Sequence, residues 1–225
     1  MQTFRRDEKG RAHAGAEAIT EATVQATAGI RDDGSTTEEG PVADLVADND
    51  LQLAELSCFL SAMAPAVYAQ SNGEDAAIGQ HVRHILDHYE CLLGAPDGRV
   101  DYTRRAREEI IGSCPEAAIG RIDAIRQQIA RLREITGDPV ESKGEGLRME
   151  VIFTPARTDH QPIQRRLTST LERELMFVLS HTIHHMALIA VLVRREGTVP
   201  IPSGFGVAPS TRRYADQGRS QACAQ

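Results

Sequence analysis

Tryptophan is absent from this 225-residue chain, a minor departure from a composition that is otherwise ordinary for a globular protein, with 41% hydrophobic residues. No CxxC pair is present either. Cys58, Cys91, Cys114 and Cys223 stand far apart, which argues against a disulfide frame or a cysteine zinc site and for reduced thiols in a cytoplasmic protein. An excess of basic charge is also missing: 25 Lys and Arg stand against 32 Asp and Glu, a formal net charge of −7. Nucleic acid and anionic membranes both reward a basic face, so neither is expected as the main partner. No uninterrupted apolar run approaches the roughly 20 residues that span a bilayer. The opening stretch MQTFRRDEKGRAHAG carries charge but no following hydrophobic segment, so no secretory signal is expected. Several catalytic signatures are lacking as well. An HExxH metalloprotease motif would need Glu at the position of Thr182, and there is no GxSxG, phosphate loop or dinucleotide fingerprint.

What is present is helical periodicity beginning near residue 43. Residues 1–42 end in the acidic, low-complexity RDDGSTTEEGP and read as a flexible extension. A first helix places Leu45, Leu53, Leu56 and Leu60 on one face and stops near Pro65. A second runs from about 75 to 93, with Ile78, Val82, Ile85 and Tyr89 as its apolar centre. A third begins at SCPE, with Ser113 as N-cap and Glu116 in the capping-box position, and repeats Ile119, Ile122, Ile125, Ile129 and Leu132 at spacings of three and four. Gly137, Asp138 and Pro139 end it, and the preceding VDYTRRAREEII reads as a short helix or as part of the third. GLRMEVIF alternates Leu147, Met149, Val151 and Phe153, the period of a short hairpin or an extended crossover. A fourth helix opens at the capping box Ser169–Glu172 and runs to about 195, with Gly197 as its C-cap. Residues 201–225 read as a loop or tail. The pattern predicts an all-α domain over 43–200, a four-helix bundle with a long crossover between helices three and four.

Six histidines fall on two of these helices: His81, His84 and His88 on the second, and His181, His184 and His185 on the fourth. Bundle cores commonly hold metal sites built from facing helices. On the fourth helix Leu171, Val178, Ile189 and Leu192 define an apolar stripe with His185 at its centre and His181 one turn earlier, so both imidazoles can reach one ion. His184 points further round. Glu174 falls on the inner face, where it could hydrogen-bond a ligand's other ring nitrogen. On the second helix periodicity selects His81 or His88 as a third ligand, with His84 further from the apolar centre. The ordinary explanation of a single such histidine is a hydrogen-bonded core residue or a solvated flank. Three unpartnered buried imidazoles would cost about 1–3 kcal/mol each, which makes that explanation strained for the whole group. Arg104, Arg105 and Arg107 could receive an anionic group, but such a run is more often a solvated face.

IGQHVRHILDH and SHTIHHMALI, with the order of helices and the long third connection, resemble the DinB/YfiT-like superfamily over roughly residues 43–200. The resemblance implies a usually dimeric four-helix bundle that binds a divalent metal through three histidines. One comes from the second helix, matching His84, and two from an HxxxH on the fourth, matching His181 and His185. His88 is kept as a reserve ligand, and zinc, nickel and iron all suit imidazole donors. Thiol S-transferases that use low-molecular-weight thiols are among the characterised relatives, so the implied activity is metal-activated attack by such a thiol on a small-molecule substrate. His184 and Glu174 are the candidates for proton transfer. The alternatives are a metal-dependent hydrolase and a non-catalytic bundle stapled by, or sensing, its metal. A related domain in iron sulfoxide synthases carries HxxxHxE, whose Glu would fall at 187. Here that residue is Ala187, which counts against that iron chemistry. The segment FGVAPSTRRY reads as a lid over the site or as a plain packed loop.

Overall fold

The structure, a computed structural model, describes residues 40–71, 76–95, 97–136, 147–155, 164–197 and 199–222. The N-terminal extension up to residue 39, the Gly137–Pro139 stop and Cys223 lie outside them. Among the described residues there are seven helices and three strands: α1 (Pro41–Ser61), α2 (Pro65–Ala69), α3 (Ile78–Leu93), β1 (Arg99–Asp101), α4 (Glu109–Ser113), α5 (Pro115–Thr136), β2 (Arg148–Phe153), β3 (Arg165–Thr170), α6 (Leu171–Glu196) and α7 (Pro209–Ala222). The fold is therefore mostly helical with a small sheet, rather than all-α.

The described chain forms two compact units. The first takes residues up to Ala47, Asp87–Ala106 and Ile125–Leu175. It contains the sheet, ordered β1-β2-β3, in which β2 pairs parallel with β1 and antiparallel with β3. The alternation around Met149 does form a strand, and Met149 faces Ser169 across the ladder. Its partner β3, Arg165–Thr170, has no apolar alternation of its own and exposes Leu167, so it exists through backbone pairing with β2. The apolar side of this unit is filled by Tyr89, Leu92, Val100, Ile125, Ile129 and Leu175, all buried.

The second unit takes Asp48–Leu86, Arg107–Ala124 and Met176–Gln225. Leu53, Leu56 and Leu60 of α1 are buried in it, as are Ile78, Val82 and Ile85 of α3 and Ile122 of α5. Leu45 is only half-buried, and Val46 and Asn49 take the buried positions of that turn. Gly79 of α3 lies against α4: a Cβ there would stand 2.1 Å from the carbonyl oxygen of Gly112 and 2.6 Å from the Tyr68 ring. The buried Tyr68 hydroxyl donates to the Ile111 carbonyl at 2.6 Å, fixing α2 on α4 in the same corner.

Both expected caps shift by one residue. Ser113 closes α4, bonding back to the Glu109 carbonyl at 2.9 Å. Cys114 instead precedes Pro115 and accepts the first α5 backbone bond from Ala118, with its thiol 3.2 Å from Glu116. At α6 the cap is Thr170, whose hydroxyl accepts from the Arg173 amide at 3.3 Å, because Ser169 is still held in β3. The C-terminal stretch is loop only as far as Ala208. Phe205 packs on Phe59 with ring centroids 4.4 Å apart, and α7 follows, tied down by Arg212, which makes a two-pronged pair with Glu55 at 3.1 Å.

α6 is 26 residues long and, by length and composition alone, apolar enough to cross a membrane, although 39% of its most apolar window is buried inside the protein. The window reaches that hydropathy while including Ser180, Thr182 and the histidines, so no single apolar run shows in the sequence.

Candidate metal centre

The histidines of α3 follow one another at three and four residues, so one helical stripe carries His81, His84 and His88. On α6 the buried stripe runs through Leu175, Val178, Thr182, Met186 and Ile189. His185 therefore sits on its flank, half-buried, and not at its centre as periodicity predicts, and half-buried His181 lies one turn earlier near the edge. Thr182 accounts for the shift. Its hydroxyl donates to the Val178 carbonyl at 2.7 Å, which lets a polar residue occupy a core position and turns the histidines outward by one residue.

Three rings close a triangle on the second unit. Centroids are 4.9 Å apart for His84 and His181, 4.6 Å for His84 and His185, and 4.5 Å for His181 and His185. Phe177 stacks on His181 at 5.6 Å, and the His181 Nε2 is sealed from solvent. His81 joins from the first turn of α3, its Nδ1 3.0 Å from the Nδ1 of His185. His184 is exposed, edge-on to His185 at 5.3 Å. His88 is buried, one turn beyond His84. Within the second unit one nitrogen of His84 lies within 4.8 Å of one of His181, so these facing histidines could hold a metal ion. Nitrogens bound to a tetrahedral ion at about 2.0–2.1 Å stand about 3.3 Å apart, so small rotations of these rings meet that spacing. The donor set fits a divalent ion that accepts imidazole.

Two of these imidazoles, His185 and His81, resist protonation, and a ligand must be neutral. Burial, and then the neighbouring His181, His84, His81 and His184, push the His185 pKa down to about 3. Burial and then His184 lower that of His81. An unfolded histidine titrates near pH 6.5, so between about 6.5 and 3 the unfolded chain binds protons that folded His185 refuses. The folded pKa is depressed; stability is therefore complete above about pH 6.5 and is lost as pH falls toward the folded value. Metal-free protein is expected to melt at a lower temperature at pH 5 than at pH 7, and His185→Ala should narrow that difference. Thermal melts at both pH values check this; an equal drop in the variant would contradict it.

Glu174 does not serve a histidine ring nitrogen. It is buried in the first unit, where one oxygen accepts from the Tyr102 hydroxyl at 2.7 Å and the other from Ser169, with Arg173 at 3.5 Å. Tyr102 in turn stacks on His88 at 5.5 Å. Burial and the Glu174 bond push the Tyr102 phenol far up, so it stays a donor. Removing that donor by Tyr102→Phe should cost about 1.5–3 kcal/mol, the worth of a hydrogen bond to a charged group. That corresponds to a melting point lower by roughly 3–12 °C, and an unchanged melting point would show the bond to be dispensable.

Sequence reasoning missed Tyr102 as the partner of Glu174, because the two are 72 positions apart; the signal was only that a carboxylate on an inner face needs donors. Arg104 is largely exposed and pairs with Asp101 at 3.6 Å, as a solvated face would. FGVAPSTRRY is a packed segment: Gly206, at φ 70°, lies so close to α6 that a Cβ would stand 2.5 Å from the Ala187 amide nitrogen. No family model, no curated protein and no solved structure matches this chain.

Proposed function

We propose that the chain is a metal-dependent enzyme of DinB-like type, a four-helix bundle in which His84, His181 and His185 hold one divalent ion and a low-molecular-weight thiol is the co-substrate. The observation that carries this reading is the triangle of half-buried imidazoles from α3 and α6, with ring centroids 4.5–4.9 Å apart. When bound, zinc, nickel or iron on three neutral imidazoles supplies a Lewis acid with open coordination positions and lowers the pKa of a thiol there.

The residues of the chain do the rest. His185 stays neutral and ligand-competent because burial and its neighbours oppose its protonation. His184, exposed beside His185, is placed to pass a proton between the site and solvent. Phe177, stacked on His181, limits rotation of that ring and so presents its nitrogens in a fixed direction.

The test is to load the protein with zinc, nickel or ferrous iron and follow alkylation of cysteine and of glutathione by monobromobimane. The expected result is a metal-dependent acceleration that disappears in His84→Ala. A metal-loaded protein that accelerates neither thiol would overturn the transferase reading and leave a metal-stapled bundle.

A further inference from the structure

The contact between His81 and His185 carries a definite consequence. Their Nδ1 atoms are 3.0 Å apart, and among the described residues each is the other's hydrogen-bond partner. Two ring nitrogens at that distance need one proton between them, since two lone pairs would repel and two N–H groups would clash. Only two arrangements satisfy this. If His81 donates, His185 accepts at Nδ1 and carries its own proton on Nε2, so a neutral His185 has no lone pair left for an ion. If His185 donates from Nδ1, its Nε2 lone pair is free.

We infer that His81 is a positioning residue for the metal site: it accepts the Nδ1–H of His185 and so fixes the tautomer in which His185 Nε2 can ligate. Ligating histidines regularly give their second ring N–H to a carboxylate, a backbone carbonyl or water, and an imidazole acceptor does the same work here. The backbone holds this acceptor in place. The His81 amide bonds to the Ala77 carbonyl at 3.3 Å, and two residues earlier Gly79 is pressed against Gly112. His81 thus belongs to the site without being a ligand. This separates its role from that of His84, whose ring contacts both His181 and His185.

The inference rests on the metal-site reading above, and the experiment keeps the two apart. ¹⁵N NMR of histidine-labelled protein, with and without zinc, reads the His185 tautomer directly; a proton on Nδ1 is expected in both states. Zinc affinity is then compared for wild type, His81→Ala and His81→Asn, with circular dichroism to check helical content. His81→Ala should bind zinc about 10–100-fold more weakly. His81→Asn should recover most of that loss, because the Asn Oδ1 takes the place of the acceptor Nδ1. A proton on Nε2 of His185, His81→Ala binding as tightly as wild type, or His81→Asn no better than His81→Ala would each overturn the inference. Wild type that takes up no zinc would instead defeat the metal reading, and the metal-free spectrum would still decide the tautomer.

Discussion

His84→Ala and His181→Ala are each expected to weaken zinc binding by about a thousandfold while leaving helical content unchanged. Both residues belong to the ring triangle, and a nitrogen of each lies within 4.8 Å of one on the other. Zinc sites with a full protein shell of four ligands are worth about 10–16 kcal/mol, so one ligand accounts for up to about 4 kcal/mol, which is three decades in affinity. His185→Ala should lose nearly as much, and His88→Ala about tenfold, since His88 lies buried against Tyr102. Competition against a chromophoric chelator measures all four. A larger loss in His88→Ala than in His185→Ala would make His88 the third ligand. Helical content should persist because the stripes of α3 and α6 are filled by Ile, Val and Leu, with the rings on their flanks.

Gly79→Ala is expected to destabilise the protein by about 3 kcal/mol, the upper part of the range for overpacking. The added methyl would meet the Gly112 carbonyl oxygen at 2.1 Å, and a backbone atom cannot swing aside as a flexible side chain does. Either α3 moves off α4, or the Tyr68 ring and its bond to Ile111 are displaced. For a chain of this size the melting point should fall by roughly 6–12 °C. Because His81 follows two residues later, zinc affinity should fall as well. A melting point within about 2 °C of wild type would mean that the two helices do not approach so closely.

Much of this architecture is legible in the residues. Ile122, Ile125, Ile129 and Leu132 repeat at three and four and are buried together on α5, and Ile78, Val82, Ile85 and Tyr89 are buried on α3. The grouping of six histidines on two helices was visible too, since nothing in an ordinary core calls for it. What escaped the sequence depends on partners distant along the chain. β3 is polar and strand-like only because β2 lies beside it, and β1 is three residues long. The α6 stripe was misplaced by one residue because periodicity counts Thr182 as polar, while its hydroxyl is satisfied within the helix. Glu174 was given to the histidines on its inward position alone; Tyr102 and Ser169 hold it instead. The caps moved by one residue because Ser113 and Ser169 are held by neighbouring elements, α4 and β3.

The most direct test of the central claim is the metal content of untagged protein purified without chelators, by elemental analysis, with His84→Ala prepared alongside. The account predicts about one divalent ion per chain in the wild type and none in the variant. Wild-type protein that carries no metal, and takes up none when zinc, nickel or ferrous iron is supplied, would contradict it and leave the six histidines with structural roles alone.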